Sequence, residues 1–137
     1  GGAGGATPPA GGKDTAQTLY DAGMSAFSQG RYNDAIISFK DFVATFPKHN
    51  LTSNAHFWEG ESHYQLKDYA RAALAYQEVI ANFPGSNKTQ AAMLKQGMAL
   101  YNAGKKDAAK QRLNELVQKY PNSSEATSAK SFMQKNK

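Results

Sequence analysis

The chain has 137 residues, no cysteine and a net charge of +5, from 16 Lys and Arg against 11 Asp and Glu. This length allows one domain, or a small domain with a tail, and the lack of cysteine excludes disulfides, thiolate metal sites and cysteine nucleophiles. No apolar run approaches the roughly 18 residues that cross a bilayer, and the basic residues form no compact stripe. We therefore expect neither membrane insertion nor nucleic-acid binding.

The first segment, residues 1–13, reads GGAGGATPPAGGK and offers almost nothing to bury. Glycine and proline at this density are typical of flexible linkers. We predict a linker over residues 1–13 that tethers something upstream, with a cloning remnant as the alternative. The folded domain is predicted over residues 14–137.

From residue 14 onward the chain repeats every 37 residues. Glycine occurs at positions 23, 60 and 97, an aromatic-proline pair begins at 46, 83 and 120, and alanine occurs at 35, 72 and 109. A fixed period of this size indicates stacked repeats that bury their apolar faces against one another. We predict three repeats, over about residues 16–52, 53–89 and 90–121.

Each repeat contains two predicted helices. The second is the clearer, because Ala35, Phe39, Phe42 and Val43 follow helical spacing and the proline pair ends it. The glycine of the first helix should let a neighbouring helix approach closely. Left-handed glycines should end the first helices at Gly30 and Gly104, with Lys67 in that place in the second repeat at some conformational cost. The predicted caps of the following helices are Thr52, Ser53, Ser86, Asn87, Ser123 and Ser124.

The last predicted element is a helix over about residues 123–135. Ala126, Ala129, Phe132 and Met133 would form its one apolar face. Such a helix would cap the third repeat, since terminal repeats need a polar outer face.

The segments SAFSQGRYNDAIISFKDFVATFP and SHYQLKDYARAALAYQEVIANFP resemble tetratricopeptide repeats. The usual repeat of that family has about 34 residues, and the additional residues here fall in the loops between repeats. The resemblance implies an all-α fold: three helix-turn-helix repeats in a right-handed solenoid, plus the C-terminal capping helix. The longer loops are similar to those of periplasmic tetratricopeptide proteins of Gram-negative bacteria.

In tetratricopeptide folds, the resemblance implies, one face of each first helix lines a concave groove that holds peptides. Counting from the repeat glycine at 100° per residue selects that face. Trp58 either contacts a partner there or packs against a neighbouring repeat. The candidate partner-binding residues are Tyr20, Met24, Phe27, Asn54, Phe57, Trp58, Glu61, Tyr64, Leu94, Met98 and Tyr101.

The stretch HFWEGESHY, residues 56–64, raises the question of a metal or acid/base site. His56, Glu59 and His63 can share one side of a helix, but no fourth ligand is evident. We predict no metal there and interpret the three residues as a polar patch at the interface between repeats. The sequence also lacks nucleophile-elbow and phosphate-loop motifs, so we predict no enzyme activity and no cofactor.

Chaperone-binding tetratricopeptide domains resemble one another in a Lys, Arg and Asn clamp for a terminal carboxylate. The predicted groove instead presents Tyr20, Phe57 and Leu94 with scattered single charges. A partner segment with apolar anchors, amphipathic or extended, fits it better.

The closest resemblance is to the tetratricopeptide accessory proteins of the Tol-Pal system. It implies a periplasmic scaffold for cell division, with TolA as the protein partner and a link to the peptidoglycan synthesis machinery. That family carries an upstream trimerising coiled coil, so we expect this chain by itself to be monomeric and the intact protein trimeric.

Two alternatives remain open at the sequence level. One is an outer-membrane assembly component with similar repeats. The other is an RNA- or peptidoglycan-binding module that uses the basic third repeat, whose candidate residues are Lys95, Lys105, Lys106, Lys110 and Arg112.

Overall fold

A computed structural model of the protein describes residues 12–137. Seven helices and no strand occur in that range. The helices are α1 (Gly12–Ser28), α2 (Tyr32–Thr45), α3 (Thr52–Gln65), α4 (Tyr69–Asn82), α5 (Thr89–Asn102), α6 (Lys106–Lys119) and α7 (Ser124–Lys135).

The predicted linker lies almost wholly outside the described residues. Its last two residues, Gly12 and Lys13, belong to the first turn of α1. The helix therefore begins two residues before the predicted start of the domain. Two residues are within the usual uncertainty of a helix end.

The helices pack in two layers. Each helix contacts the next one in the chain, and α1 also contacts α3 while α5 also contacts α7. No comparable contact joins even-numbered helices within residues 12–137. The odd-numbered helices therefore line the inner face of the stack and the even-numbered helices form its outer layer. The all-α prediction of three helix pairs and a capping helix is confirmed.

The repeat glycines lie where the two helices of a pair cross. A Cβ atom added at Gly60 would lie 2.7 Å from the ring of Tyr76, and one at Gly23 would lie 2.6 Å from Phe39. Gly97 stands in the same relation to Leu113, at 2.3 Å. Real Cβ atoms do not approach carbon this closely, so only glycine permits the crossing.

The first helix of each pair ends in a left-handed residue, as predicted. Gly30 has a φ of 75° and Gly104 a φ of 86°. Lys67 adopts the same conformation at a φ of 62°, the only positive φ of a non-glycine residue in the described range. A side chain in this region is crowded by the following carbonyl, so the second repeat carries a small local strain.

The predicted caps are correct only for α7. The Ser123 hydroxyl accepts a hydrogen bond from the Ala126 N–H, whereas α3 and α5 begin without a side-chain cap. Thr52 and Thr89 instead donate their hydroxyls back to the carbonyls of Phe46 and Phe83. These hydroxyls tie each helix start to the end of the preceding helix, which a cap prediction from one segment could not anticipate.

The remaining predicted caps behave differently from one another. The Ser53 and Ser86 hydroxyls lie 2.8 Å apart and join the first turn of α3 to the loop between α4 and α5, whereas Asn87 is exposed. Asp68, which the sequence did not single out, caps α4 by accepting the Arg71 N–H. Side-chain oxygens near helix starts therefore act mostly within one repeat, and the Ser53–Ser86 contact joins two repeats.

The apolar core follows the repeats. One cluster centres on Phe39 and Phe42, a second on Tyr76 and Val79, and a third on Leu113 with residues of α7. Each cluster includes residues from the following helix pair or from the capping helix. Each repeat thus completes its core with its neighbour, as stacked repeats require.

Replacing Gly60 with Ala should destabilise the domain by about 2 kcal/mol, because the new methyl group would overlap the fully buried Tyr76 ring. Urea unfolding followed by circular dichroism measures the change. In a Tyr76→Ala background the same substitution should be neutral or stabilising, since the space is free and alanine favours helix. An equal cost in both backgrounds would contradict the steric explanation.

Replacing Lys67 with Gly should stabilise the domain by about 0.5–1 kcal/mol, because glycine adopts the left-handed conformation without crowding. Lys48→Gly is the matched control, since Lys48 is also exposed but does not have a positive φ. Urea unfolding of both variants tests this. A similar gain at Lys48, or a loss at Lys67, would refute the account.

Candidate functional site

The predicted partner-binding residues lie on α1, α3 and α5, the described odd-numbered helices that precede the cap. Ten of the eleven are half-buried, so each presents part of its surface on the inner layer. Phe57 is different: it is only 6% exposed and packs against Tyr76 of α4, with ring centroids 5.7 Å apart. The structure therefore places Phe57 in the core between α3 and α4, with little surface left for a partner.

Trp58 joins the first two repeats. Its ring meets Phe27 of α1 edge-on at 5.1 Å between centroids, and it also meets Phe57 at 5.4 Å. The indole is only partly buried, so it packs against the neighbouring repeat and still presents surface. Both roles that the sequence left open for Trp58 are therefore compatible with its position.

Tyr20 and Asn54 lie beside Trp58. Burial raises the pKa of the Tyr20 hydroxyl, while the side chains of Asn54 and Trp58 oppose that rise as hydrogen-bond donors to it. The carbonyl oxygen Oδ1 of Asn54 is buried and accepts no hydrogen bond from any residue in the range 12–137. An unpaired buried acceptor costs about 1–3 kcal/mol, so this atom is an exception to the usual pairing.

Glu61 organises the contact between α3 and α5. Its carboxylate accepts a hydrogen bond from the Tyr76 hydroxyl and lies 3.6 Å from Lys95 Nζ. Burial and the Glu61 carboxylate raise the pKa of Tyr76, so its hydroxyl stays protonated and donates. Lys95 also lies 4.0 Å above the Tyr64 ring, whose hydroxyl accepts a hydrogen bond from Asn102. These predicted site residues are thus held in a fixed arrangement.

The third part of the inner face is a cleft between α5 and α7. Leu94 and Met98 line one side and Phe132 lies on the other, around a volume of about 570 Å³. Nearby, Tyr101 meets Phe132 edge-on with centroids 5.4 Å apart. The cleft is mostly apolar, which suits methionine and leucine as adaptable contact residues.

Lys88, immediately before α5, is an inner-face residue that the sequence did not indicate. Its Nζ lies 5.0 Å from the Phe57 ring centroid and 5.4 Å from that of Trp58. The 37-residue period aligns Lys88 with Leu51, which gave no hint of a charge at this place. The contact of Lys88 with these two rings arises from the packing of one repeat on the next, so no motif within a single repeat predicts it.

The stretch with two histidines lies on the opposite side of α3. His63 Nε2 is 3.5 Å from Glu59 Oε2, and Lys40 Nζ of α2 is 3.3 Å from the same oxygen. Burial raises the pKa of Glu59, but the His63 hydrogen bond and the Lys40 charge lower it more, so its net shift is downward. These side chains form the polar patch between the first two repeats that the sequence predicted.

A cavity of about 660 Å³ adjoins this patch on the outer layer, with His56, Arg71 and Leu74 among its lining residues. No group of three potential metal ligands occurs in the described part of the chain. His56 has a pKa below its ordinary value because burial disfavours the charged imidazole, despite the opposing effect of Glu59.

The basic residues of the third repeat do not form one free surface. Arg112 contacts Gln96, Gln77 and Glu115, and Lys95 contacts Glu61 as described. Two of the five candidate cations therefore have partners inside the fold. Of the helices in residues 12–137, none combines the length and apolarity needed to cross a membrane.

Comparison with protein-family models identifies the family to which this fold belongs. Two family models, both described as tetratricopeptide repeat, match residues 20–87 and residues 91–123. Together they account for most of the chain, and the chain belongs to the tetratricopeptide-repeat family. Neither model describes an enzyme. No curated protein matches the sequence.

Solved structures with the same fold include the TPR domain of Arabidopsis OM64, at 13% identity and a TM-score of 0.74, covering 90% of this chain and 98% of that one. The first TPR of Spaghetti (RPAP3), bound to the HSP90 peptide SRMEEVD, has 23% identity and a TM-score of 0.69, with coverages of 87% and 90%. The second TPR domain of human RPAP3, in complex with the HSP70 peptide SGPTIEEVD, has 20% identity and a TM-score of 0.70, with coverages of 87% and 98%. At these identities the likeness establishes the fold.

The stability of the domain should decrease as the pH falls from 7.5 to 4. The folded state lowers the pKa of His56 and of Glu59, so the unfolded chain binds protons more readily below pH 6.5 and again below pH 4.5. Urea unfolding at several pH values measures this. His56→Leu, which copies Leu19 of the first repeat, should make the decrease between pH 7.5 and 5 smaller. An unchanged decrease in that variant would contradict the assignment to His56.

Proposed function

We propose that this chain is a non-enzymatic protein-binding module whose inner face holds a segment of a partner protein. The observation that supports this proposal is the row of half-buried side chains along α1, α3 and α5. The row combines aromatic rings, methionines and a few fixed polar groups. Partly exposed aromatic and methionine side chains bury large areas on binding at a small entropic cost.

Two of the structural neighbours support a peptide as the ligand. The Spaghetti domain and the second human RPAP3 domain are each bound to a peptide that ends in EEVD. Those proteins show that the fold can hold a peptide. The inner face of this chain differs from a clamp for a terminal carboxylate, because Tyr20 and Leu94 lie there and Lys95 is already paired with Glu61.

The ligand that fits this surface best is a segment with apolar anchors. The cleft between Leu94, Met98 and Phe132 can take one apolar side chain, and the exposed part of Trp58 offers a second contact on α3. Anchors spaced along one side of a helix or an extended strand would reach both places.

The segments LYDAGMSAFSQGRYNDAIISFKDFVATFP and HFWEGESHYQLKDYARAALAYQEVIANFP, with the Gly-rich leader, resemble the C-terminal domain of the Tol-Pal accessory protein called YbgF or CpoB. On that resemblance the partner is TolA, the compartment is the periplasm, and the role is to link peptidoglycan synthesis to envelope constriction during division. The helical domain would act as a monomer, and a trimerising segment of the intact protein would assemble three copies.

The alternatives have less support. A role in outer-membrane assembly, like that of BamD, would use the same repeats, and no particular contact favours it. A basic surface for RNA or peptidoglycan would need Lys95 and Arg112, which contact Glu61 and Glu115 within the fold.

Titration with the purified helical region of TolA tests the proposal. We expect saturable binding that Trp58→Ala and Met98→Ala each weaken by about tenfold, because each removes a contact worth about 1.4 kcal/mol. Leu74→Ala is the control, since Leu74 is 70% exposed on the outer layer. Circular dichroism must show that every variant is folded.

Three results would differ in meaning. Loss of binding in Leu74→Ala alone would move the site to the outer layer. Binding unaffected by all three variants would exclude the inner-face site and keep the partner. No binding by the unaltered domain would refute TolA as the partner and leave the inner face to be tested with other peptides.

A further inference from the structure

Two exposed apolar side chains on the outer layer occupy the same place in successive repeats. Ile37 of α2 is 59% exposed and Leu74 of α4 is 70% exposed, and the two positions are one repeat period apart. The third repeat has the polar residue Gln111 at this place. A single exposed leucine is ordinary on a protein surface, so the residues around Leu74 decide whether it belongs to a contact surface.

Arg71 and Glu78 flank Leu74 on the exposed side of α4. Residues three before and four after a helical position lie on the same face, one turn to either side. Both side chains are exposed, and so are the small residues Ala70 and Ala81 on the same side of the helix. These five residues, here called the α4 face, have an apolar centre with a cation before it and a carboxylate after it.

Both charges of the α4 face remain able to contact a partner. Glu78 takes part in none of the ion pairs among residues 12–137, and it accepts a hydrogen bond from Asn82 on its own helix. Arg71 lies 2.8 Å from an Asp68 carboxylate oxygen, but its side chain is 71% exposed. A guanidinium has five N–H donors, so one carboxylate leaves donors for a second.

The other two outer helices lack this arrangement. Around Ile37 the equivalent positions of α2 hold Asp34 and Asp41, which have charges of the same sign. On α6 the centre is the polar Gln111. Of the three helices, α4 therefore has the face that combines an apolar centre with opposite charges on its two sides.

We infer that the α4 face binds the α4 face of a second copy of this chain, in antiparallel orientation and with Leu74 at the two-fold axis. In that orientation Arg71 of each copy lies opposite Glu78 of the other, so two identical ion pairs flank the leucine pair. A parallel pairing would place Arg71 against Arg71 and Glu78 against Glu78. The charges therefore select a second copy in reversed direction.

This contact is weak by its size and charge. One face of one helix buries less than the roughly 1,200 Å² of total area that stable complexes need, and exposed ion pairs contribute little each. The net charge of +5 also makes two copies repel at a distance. The domain is therefore a monomer in dilute solution, as proposed above, and pairs at high concentration. The inner face stays open in the pair, so this inference does not depend on the partner proposed for that face.

Disulfide trapping tests the contact. The chain has no cysteine, so Leu74→Cys and the control Gln111→Cys each carry a single thiol. Gln111 is the exposed residue at the equivalent place on α6. In a glutathione redox buffer, Leu74→Cys should form at least about fivefold more disulfide-linked dimer than the control, because the two-fold axis brings its Cα atoms within reach of a disulfide. Equal yields from the two variants would overturn the inference.

Sedimentation equilibrium between about 0.05 and about 2 mM protein tests the orientation. The average mass of the unaltered domain should rise with concentration. Arg71→Glu and Glu78→Arg should each weaken the association at least about fivefold, because like charges then face each other. The double variant should associate as the unaltered domain does, because its reversed charges again lie opposite one another. Circular dichroism must show that each variant is folded.

Two results would count against the pairing. A double variant that associates as weakly as the single variants would refute the antiparallel arrangement of Arg71 and Glu78. An average mass that stays at the monomer value up to the highest concentration would overturn the inference altogether. None of these measurements uses TolA, so a failure here is separate from a failure of the TolA titration.

Discussion

The close crossing of each inner helix on its outer partner is the constraint on which the rest of the structure depends. The repeat glycine brings the backbone of α3 against the Tyr76 ring, and the same contact recurs with Phe39 and Leu113 in the other repeats. Because the two helices cross closely, the inner helix has a fixed rotation about its axis. The side chains on either side of the glycine therefore point in fixed directions, some towards the outer layer and some towards the inner face. The Tyr76 hydroxyl then reaches Glu61, which pairs with Lys95 of the next repeat. A packing contact within one repeat thus positions a polar group between two repeats.

The two sides of α3 make different kinds of contact with the neighbouring helices. On the side of α2, Glu59 lies between His63 and Lys40 and holds the first two repeats together through charge. On the inner face the contacts between repeats include aromatic pairs, as between Phe27 and Trp58, and Lys95, which lies over the Tyr64 ring and pairs with Glu61. The lowered pKa values of His56 and Glu59 both belong to the side of α3 that faces α2.

Periodicity predicted the helix pairs, the left-handed ends and the glycine crossings, because each of these is decided by residues close together in one repeat. It could not place Phe57 or the hydroxyl contacts of Thr52, Ser53 and Thr89 at the helix starts. A helix inside a stack of repeats contacts neighbours on several sides, so apolar residues mark more than one face, and the 100° count cannot separate core from groove. Lys88 and the unpaired Asn54 oxygen could not be predicted for a related reason, since both depend on distances between one repeat and another. The inner face was predicted as a region, and its individual polar groups were not.

Side-chain contacts along the inner face also space the successive inner helices. Phe27 with Trp58, Tyr64 with Asn102 and Tyr101 with Phe132 each join one inner helix to the next, so their sizes set the spacing between successive repeats. A larger or smaller side chain at any of these places changes the pitch as well as the surface. Shape and surface are consequently inherited together in this domain: a substitution that changes what the inner face presents should also change the spacing of the helices that present it.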